Sequence, residues 1–347
     1  MRVGIVGATG AVGLDLLAVL AARAFPCSEL RLMASARSAG RRIAHAGGAH
    51  PVHEATPEAL AGLDLCFFSA GAAVSRALAP VAAAHGALVV DNSSAFRMHP
   101  EVPLVVPECN GSVLAGDTRG IVANPNCSTI LLCLALAPLQ RATGLGRVVV
   151  STYQAASGAG ARAVDELKAG TRASLADEPF VPSALPQSLA FNLFPHVDVF
   201  QPDGFTREED KMLYESRKIL GLPQLAIEAT CVRVPVERCH AEAVTVELER
   251  PLDPAAARAL FAAAPGLEVV DDPGARLYPM PVTSSGRDPV AVGRVRASRV
   301  FVPGLTFWLV GDQVRKGAAL NAVQIAERVF CDMAAAPAER RAPRDRA

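Results

Sequence analysis

The chain begins with a short apolar run that passes into a glycine-rich loop and then into a helical pattern. The run RVGIV ends at Gly7, and Gly10 and Gly13 follow around the start of an apolar helix over Ala11–Ala22. Glycines permit a tight turn and let the backbone approach a pyrophosphate, whose charge is favoured at a helix N-terminus. The spacing is G-x-x-G-x-x-G rather than G-x-G-x-x-G, but its position between strand and helix favours a dinucleotide-binding loop over a turn that binds nothing. The expected cofactor contacts in this loop are Gly7, Thr9, Gly10, Ala11 and Val12.

Short apolar runs alternate with helical patterns through the first third of the chain. The periodicity predicts strands at Arg2–Val6, Leu30–Ala34, Leu65–Phe68, Ala87–Val90 and Gly120–Ala123. In addition to the helix at Ala11–Ala22, it predicts a helix at Ala72–Ala84. Such alternation is typical of a parallel sheet covered by helices. Together with the glycine loop, it predicts a Rossmann-type α/β nucleotide-binding domain.

The pattern changes after Arg147. The runs RVVVSTYQA, ATCVRVPV and AVTVELE are longer and rich in β-branched residues, which predicts a mixed or antiparallel sheet in a second, α+β domain. An apolar helical pattern at 316–330 is more like the first part of the chain than the second. The chain is therefore expected to return to its first domain near its end.

Composition and charge exclude several classes of protein. Of the 347 residues, 51% are hydrophobic, and 34 basic residues balance 34 acidic ones. Such a chain can bury a core, so it is not disordered, and it lacks the basic excess typical of nucleic-acid-binding domains. No apolar stretch is long enough for a membrane helix, and no leader pattern precedes the first strand. Eight cysteines without C-x-x-C spacing indicate reduced thiols and a cytoplasmic location.

The end of the second strand indicates which nicotinamide cofactor the loop would take. An NAD site places an acidic residue there for the ribose hydroxyls, but this strand leads into Ser35, Arg37 and Ser38. A guanidinium and two hydroxyls suit a 2′-phosphate, so the sequence predicts NADP. Arg37 could instead be a solvated loop residue, since Arg41 and Arg42 follow closely.

Cys127 is the strongest candidate for a nucleophile. The turn Asn124-Pro125-Asn126 leads directly into an apolar helix, so Cys127 lies at or beside a helix N-terminus. There the unpaired N–H groups and the helix dipole favour a thiolate, and the same N–H groups could stabilise an oxyanion on an attacked carbonyl. The alternative is an inert buried thiol, which is the expected state of Cys133 within the same helix.

A thiolate nucleophile needs a group nearby that accepts or donates a proton, and His240 is the best candidate. It follows the strand CVRVPV, which also carries Arg233. A general acid/base there would contribute about 10²- to 10⁴-fold to the rate. His45, His50 and His53 lie in a Gly/Ala-rich segment that is predicted to be a loop. No supporting ligand pattern accompanies them, so no metal site is predicted.

Eight motifs occur in order along nearly the whole chain: GATGAVG, DNSSAFRM, VPLVVPECN, ANPNCSTI, STYQAASGAG, AFNLFPHVD, TCVRVPV and RKGAALNAVQIAE. They resemble the aspartate-β-semialdehyde dehydrogenase family over residues 3 to 330, with NCST and STYQ the most specific of them. The resemblance implies a homodimer that uses NADP to interconvert L-aspartate 4-semialdehyde plus phosphate and L-4-aspartyl phosphate, in lysine, threonine and methionine biosynthesis. From the residues alone, only a thiol-dependent NADP oxidoreductase follows.

The resemblance implies a role for each polar residue in these motifs. Cys127 matches the nucleophile, His240 the acid/base, and Gln154 the residue that orients the acyl group. Arg233 matches the ligand of the substrate α-carboxylate, and Glu208 matches the partner of its amine. The remaining matches are Lys211, Arg97 and Asn126 at the substrate and phosphate site, and Ser157, Gly158 and Gln313 at the nicotinamide end.

Ordinary structural roles stay open for several of these residues. Glu208 and Lys211 lie in the charged run REEDKMLYESRK, which a solvated helix face would also explain. Arg97 could be a charge beside a helix, Gln154 an ordinary strand amide, and Arg233 a residue on an exposed strand face.

Three positions depart from the family pattern. Cys239 and Ala241 flank His240 where the family usually has glycine and serine, and Gln313 stands in place of asparagine. Loss of the glycine would restrict the backbone if that position has a positive φ. The departures leave open a catalytically inactive NADP-binding paralogue. The other alternative is N-acetyl-γ-glutamyl-phosphate reductase, although Glu208 suits a free ammonium better than an acetamide.

The resemblance also predicts the domain organisation. Residues 1–127 would form the NADP-binding domain, completed by the helix at 315–330, and residues 128–314 the catalytic and dimerisation domain. Residues 331–347 would form a flexible tail. The expected partners are the small-molecule substrates and a second copy of the chain, with no nucleic acid and no membrane.

Overall fold

The structure, a computed structural model, describes residues 1–45, 47–114 and 120–335, the last five by their backbone alone. These residues form two compact units. The first comprises Met1–Thr9, Leu16–Asn124 and the described residues from Asn321 onward, and the second comprises Gly10–Asp15 and Pro125–Leu320.

The first unit is built on a seven-stranded sheet, as far as the chain is described, with the strand order β3-β4-β2-β1-β5-β6-β7. The strands are β1 (Arg2–Val6), β2 (Glu29–Ala34), β3 (Arg42–His45), β4 (Gly48–Glu54), β5 (Leu65–Phe68), β6 (Leu88–Asp91) and β7 (Gly120–Ala123). Neighbouring strands pair in parallel except β3 and β4, which are antiparallel. The predicted parallel sheet is therefore confirmed.

The helices that accompany this sheet are α1 (Ala11–Ala22), α2 (Ala72–Ala84), the short α3 (Pro107–Asn110) and, near the end of the chain, α9 (Leu320–Ala335). Hydrogen bonds hold α9 within this unit, because the Asn321 side chain donates to the Val105 carbonyl at 2.9 Å and to Asn124 Oδ1 at 2.7 Å. Farther along the helix, Glu327 forms a two-pronged ion pair with Arg23.

Two local predictions for this unit are wrong. His45, His50 and His53 lie in the β3–β4 hairpin rather than in a loop. The last helix was expected to start at residue 315 or 316, but residues Arg315–Ala319 form a π-helical turn and α9 begins at Leu320. Of the predicted tail, 331–335 continue α9, and 336–347 lie outside the described residues.

The second unit contains a six-stranded mixed sheet with the order β11-β12-β13-β10-β8-β9. Its strands are β8 (Leu145–Gln154), β9 (Ala226–Arg233), β10 (His240–Leu248), β11 (Leu267–Val269), β12 (Val290–Ala297) and β13 (Gly304–Gly311). β8 and β9 pair in parallel, while β10 pairs antiparallel with both β8 and β13. The mixed sheet predicted for the second domain is confirmed.

Four strand ends meet at one end of this sheet. Gln154, the last residue of β8, pairs with Arg233, the last residue of β9. His240, the first residue of β10, pairs with Gly311, the last residue of β13. Residues that are far apart in the sequence are thereby brought to a single edge, where the candidate site lies.

The helices of this unit are α4 (Cys127–Thr143), α5 (Ala161–Leu175), α6 (Arg207–Leu220), α7 (Pro254–Ala263) and the short α8 (Pro281–Ser284). Of these, α4, α6, α7 and α8 contact strands of the sheet. Every residue of α4 from Ser128 to Leu139 is buried, and the helix packs against α6, α7 and the sheet. An all-round apolar helix of this kind belongs in a core. None of the helices in the described part of the chain is long and apolar enough to span a membrane.

Candidate active site

Cys127 is the first residue of α4, and Asn126 caps the helix. The Asn126 side-chain oxygen accepts the N–H groups of Ser128 at 3.0 Å and Thr129 at 3.2 Å. Asn126 is itself held in place by Glu215, whose carboxylate accepts its backbone N–H at 2.7 Å. A thiol at the first turn of a capped helix lies in the positive end of the helix dipole, which favours its ionised form.

The cap changes one expectation about this helix end. The sequence predicts that unpaired N–H groups at this helix end could stabilise an oxyanion, but those of Ser128 and Thr129 are occupied by the oxygen of Asn126. Donation from first-turn N–H groups to the side-chain oxygen of the capping residue is the usual arrangement at a helix N-terminus. In this structure neither of these two N–H groups is free to bind a developing oxyanion.

Glu208 is the centre of a buried polar cluster next to the cap. Its carboxylate accepts hydrogen bonds from Asn126 Nδ2 at 2.9 Å and Gln154 Nε2 at 3.2 Å, and from Lys211 Nζ at 2.9 Å. Lys211 also donates to Asp198 at 2.7 Å. Burial alone would raise the pKa of Glu208, but the Lys211 charge and the hydrogen bonds lower it to about 2. The structure excludes a solvated face for Glu208, which is only 5% exposed.

Arg233 lies at the same edge of the sheet and is also buried. Its Nη1 donates to the Ala155 carbonyl at 2.7 Å. Burial lowers the pKa of the guanidinium, and the negative charges available at Glu208 and Cys127 oppose that shift. Arg233 is therefore not on an exposed strand face but within electrostatic reach of the candidate nucleophile.

His240 is completely buried and makes one defined hydrogen bond. Its Nδ1 accepts the backbone N–H of Ala155 at 3.0 Å. Burial and the Arg233 charge lower the pKa of His240 to about 3, against a weaker opposite effect of Glu208. The ring is therefore neutral at physiological pH.

Gly158 lies directly against these two side chains. A Cβ at this position would lie 2.9 Å from Arg233 Nη1 and 3.1 Å from His240 Nε2, closer than ordinary side-chain contacts. Residues Ala156–Ala159, which include Ser157, form a single 3₁₀ turn after β8. The lack of a side chain at Gly158 is what lets this turn pass over both groups.

Gln313 links the turn to the residue before His240. Its Oε1 accepts the backbone N–H of Cys239 at 2.8 Å, and its Nε2 donates to Ser157 Oγ. Cys239 has φ +77°, the left-handed region that favours glycine, so the restriction expected at this departure from the family pattern is present. Two of the three departures, Cys239 and Gln313, are therefore in direct contact.

Two residues near the nucleophile were not singled out from the sequence. A Cβ on Gly317 would lie 2.8 Å from Cys127 Cβ, so this position accepts only glycine. Glu215 holds the Asn126 backbone and is 2% exposed. The spacing of Glu208, Lys211 and Glu215 on one helix face is the signal that could have identified Glu215.

Other cysteines of the second unit differ from Cys127 in their surroundings. Burial raises the pKa of Cys231, and burial together with the Asp312 charge raises that of Cys239 to about 12. Cys133 is fully buried in α4, as expected. Cys127 is the partly exposed member of this set.

Arg97, the second expected phosphate ligand, belongs to the first unit. It is 8% exposed, and its guanidinium donates to the carbonyls of Asn124 at 3.0 Å and Asn92 at 2.8 Å. These bonds hold the group in place rather than leaving it as a loose charge beside a helix.

The residues expected to bind the pyrophosphate and the 2′-phosphate lie around the ends of β1 and β2. Gly7 has φ +95°, and a Cβ there would lie 2.4 Å from the Ser69 carbonyl oxygen, so the turn requires glycine. Ser35 precedes a 3₁₀ turn formed by Ala36–Ser38. The residues Thr9, Gly10, Ala11 and Val12 continue from that loop into α1, with the last three grouped in the second unit.

Arg37 is an exposed cation of this region. Its side chain makes no hydrogen bond or ion pair with the described residues. Among those residues, no group of three or more His, Cys, Asp or Glu side chains is placed to hold a metal ion.

Comparison with known proteins identifies the family. Residues 2–116 match the semialdehyde dehydrogenase NAD-binding domain, and residues 136–316 match the semialdehyde dehydrogenase dimerisation domain. An aspartate-semialdehyde dehydrogenase of Aquifex aeolicus is 50% identical over 94% of this chain and 97% of its own length, and one of Bacillus subtilis is 46% identical over 94% and 96%. A crystal structure of Vibrio cholerae aspartate semialdehyde dehydrogenase II complexed with ASA has a TM-score of 0.91 at 42% identity, covering 95% of this chain and 98% of that one. The chain belongs to the semialdehyde dehydrogenase family.

Proposed function

We propose that the chain is an aspartate-semialdehyde dehydrogenase. It interconverts L-aspartate 4-semialdehyde plus phosphate and L-4-aspartyl phosphate, with NADP as the cofactor. The observation that carries the proposal is the arrangement around Cys127, a helix-capped cysteine with Arg233 and an ionised Glu208 in electrostatic reach of one another. A carboxylate and a guanidinium beside a nucleophile are what a zwitterionic amino-acid substrate requires.

Cys127 supplies covalent catalysis. In the oxidative direction its thiolate forms a bond to the aldehyde carbon, and the carbonyl oxygen takes the negative charge of a hemithioacetal. A bound nicotinamide supplies the hydride acceptor. Cys127 then carries a thioester, which a phosphate oxygen attacks so that the C–S bond breaks and the thiolate returns. A thioester conserves the free energy needed to form an acyl phosphate.

The surrounding side chains bind and orient the substrate. Arg233 takes the α-carboxylate through its guanidinium, and Glu208 takes the ammonium. Gln154, whose amide lies 3.0 Å from Ser128 Oγ and 3.2 Å from Glu208, orients the acyl group. His240 acts on the reacting oxygen. Lys211, Arg97 and Asn126 are assigned to the phosphate as the residues that match the family's phosphate ligands.

The chain fits an NADP molecule at the end of its first two strands. The tight turn at Gly7 leads towards the start of α1, where a pyrophosphate is favoured. Arg37, without a protein partner in the described structure, suits a 2′-phosphate with Ser35 and Ser38. Ser157, Gly158 and Gln313 are assigned to the nicotinamide end. The Gln313 amide already has two protein partners, so its effect on the cofactor is exerted through Ser157.

The dimerisation-domain match supports a homodimer, and residues 1–127 with the last helix are assigned to NADP binding. A reactive thiolate is best preserved where thiols stay reduced, which supports a cytoplasmic location. The ionised Glu208 argues against N-acetyl-γ-glutamyl-phosphate reductase, whose substrate carries an acetamide. The complete polar cluster around Cys127 argues against an inactive paralogue.

The test is phosphate-dependent reduction of NADP⁺ with L-aspartate 4-semialdehyde. N-acetylglutamate semialdehyde and NAD⁺ are run alongside, with Cys127→Ala as the inactive control and Arg37→Ala as the cofactor control. We expect turnover that requires phosphate, is lost in Cys127→Ala while NADP still binds, and prefers NADP less in Arg37→Ala. A preference for the acetylated substrate, or no turnover by folded protein that binds NADP, would contradict the proposal.

A further inference from the structure

The hydrogen bond to His240 Nδ1 determines where the ring carries its proton. The donor is the backbone N–H of Ala155, which always has its hydrogen, so Nδ1 must present its lone pair. A neutral imidazole has one protonated nitrogen and one acceptor nitrogen. The hydrogen of His240 is therefore on Nε2.

The Ala155 peptide is fixed and cannot easily turn away. Its carbonyl accepts Arg233 Nη1 at 2.7 Å, and the next peptide N–H, of Ala156, donates to the Val236 carbonyl at 2.8 Å. The preceding residue, Gln154, accepts the Val234 N–H at 3.0 Å through its carbonyl. Among the described residues, the group that opposes this arrangement is the carbonyl of Cys239, whose effect on the pKa of the ring is the smallest of those acting on it.

The Nε2 atom is buried and has no hydrogen-bond partner among the described residues. The charged groups around the ring are Arg233 on β9 and Glu208 on α6, with the thiol of Cys127 facing Arg233 from α4. Glu242, two residues farther along β10, is uncharged because burial raises the pKa of its carboxyl well above the usual range. A donor N–H thus lies unused beside Arg233, and the first-turn amides of Ser128 and Thr129 are occupied by the helix cap.

We propose that His240 acts as a neutral Nε2–H hydrogen-bond donor to the carbonyl oxygen of the substrate, and that it does not ionise Cys127. The Ala155 amide is the positioning group that fixes this tautomer, while Arg233 and the helix N-terminus stabilise the thiolate. The inference rests on the proposed function. A neutral imidazole that polarises a carbonyl is an established catalytic device.

The reaction balances without a proton on His240. The thiol proton leaves to water before attack, and formation of the C–S bond converts the carbonyl to an alkoxide that accepts the Nε2–H bond. When the carbon gives up its hydride, the C=O bond re-forms as the thioester. A hydrogen phosphate oxygen then bonds to that carbon, the C–S bond breaks, and the phosphate proton leaves to water. His240 ends in the form in which it began.

The test compares the pH dependence of Cys127 alkylation by iodoacetamide in the wild type, His240→Ala and Arg233→Gln. We expect the midpoint in His240→Ala to move by less than about one pH unit, and that in Arg233→Gln to rise by about one unit or more. In the same His240→Ala variant, kcat should fall by about 10²- to 10³-fold, as for loss of an oxyanion donor. A rise of one unit or more in His240→Ala would show that His240 ionises the thiol and would overturn the proposal.

A second measurement needs only the wild-type protein and decides the question if the variants do not fold. The measurement is NMR spectroscopy of protein labelled with ¹⁵N-histidine. Nε2 is the ring nitrogen that couples strongly to both ring C–H protons, and we expect this nitrogen of His240 to carry the proton. A proton on Nδ1, or a charged ring at neutral pH, would overturn the proposal. Neither measurement uses the semialdehyde, so failure of the proposed activity would leave these results readable by themselves.

Discussion

Two glutamates of the second unit are buried to nearly the same extent, but their pKa values are shifted in opposite directions. Glu208 is 5% exposed and Glu242 is fully buried. The carboxylate of Glu208 has three donors, including Lys211, and its pKa lies at about 2. Both oxygens of Glu242 lack a partner in the described structure, and burial raises the pKa of its carboxyl. Hydrogen-bond donors and a neighbouring lysine, rather than depth of burial, therefore decide whether each of these carboxyl groups is ionised.

The difference has a direct consequence for the site. An ionised carboxylate that already pairs with a lysine can receive a substrate ammonium without first losing a proton. A neutral carboxyl such as that of Glu242 cannot provide this attraction, although it lies on the strand that begins with His240. Changing the partners or the charge of each glutamate should therefore affect the site differently.

The largest effect is expected from Glu208→Gln. The substitution keeps the shape of the side chain but removes its charge, so the substrate ammonium loses its counter-ion and kcat/KM for the semialdehyde should fall about 10²- to 10³-fold. The matched control is Glu242→Gln, which removes no charge from the folded protein and should change kcat/KM by less than about threefold. Steady-state kinetics measure kcat/KM for both variants. Equal losses would show that the charge of Glu208 has no special role in binding the substrate.

A smaller effect is expected from Lys211→Met. Without the lysine charge, the pKa of Glu208 should rise, since burial then has less opposition. We expect kcat/KM for the semialdehyde, measured at saturating phosphate, to fall about tenfold. Its acid-side inflection should move to higher pH. An unchanged inflection would show that the hydrogen bonds from Asn126 and Gln154 suffice to keep Glu208 ionised.

The two glutamates should also give opposite pH dependences of stability. The carboxyl of Glu242 has a raised pKa in the folded state, so its contribution is present at low pH and is lost as the pH rises above about 4.3, the unfolded value. The stability of the wild type relative to Glu242→Gln should therefore fall by about 1.4 kcal/mol per pH unit above that point. Urea unfolding of the two proteins across this range measures the slope.

Glu208 should behave in the opposite sense. Its pKa is lowered to about 2, so its contribution is present above the unfolded value and is lost as the pH falls from there towards about 2. Relative to Glu208→Gln, the wild type should lose stability on acidification in that window. A slope of the same sign for both glutamates would show that the assigned charge states are wrong.

Much of the fold could be predicted from local sequence. The strand Arg2–Val6 and the helices Ala11–Ala22 and Ala72–Ala84 have the predicted bounds, because each has a continuous apolar signal ended by glycine or turn residues. The β3–β4 hairpin was missed because its strands lie at the sheet edge and are mostly exposed, so they carry no apolar run. The π-helical turn at Arg315–Ala319 was missed because apolar periodicity does not separate a short π turn from an α-helix.

The candidate site could be predicted only in part. Cys127 and its cap follow from the local pattern of a turn before an apolar helix. The burial of Glu208 does not, because the charged run around it is typical of a solvated face and its burial depends on β8 and the cap at Asn126. The proton position on His240 likewise depends on Ala155, 85 residues away in the chain. Such contacts are set by the register of the sheet and not by local sequence.

The proposed reaction depends on a thioester that Cys127 carries between the redox and phosphate steps. The most direct measurement is the amount of NADPH formed when enzyme, L-aspartate 4-semialdehyde and NADP⁺ are mixed rapidly without phosphate. We predict a burst of about one NADPH per Cys127 that then stops, continues on addition of phosphate, and is absent in Cys127→Ala. Steady turnover without phosphate, or a burst that survives in Cys127→Ala, would contradict the claim.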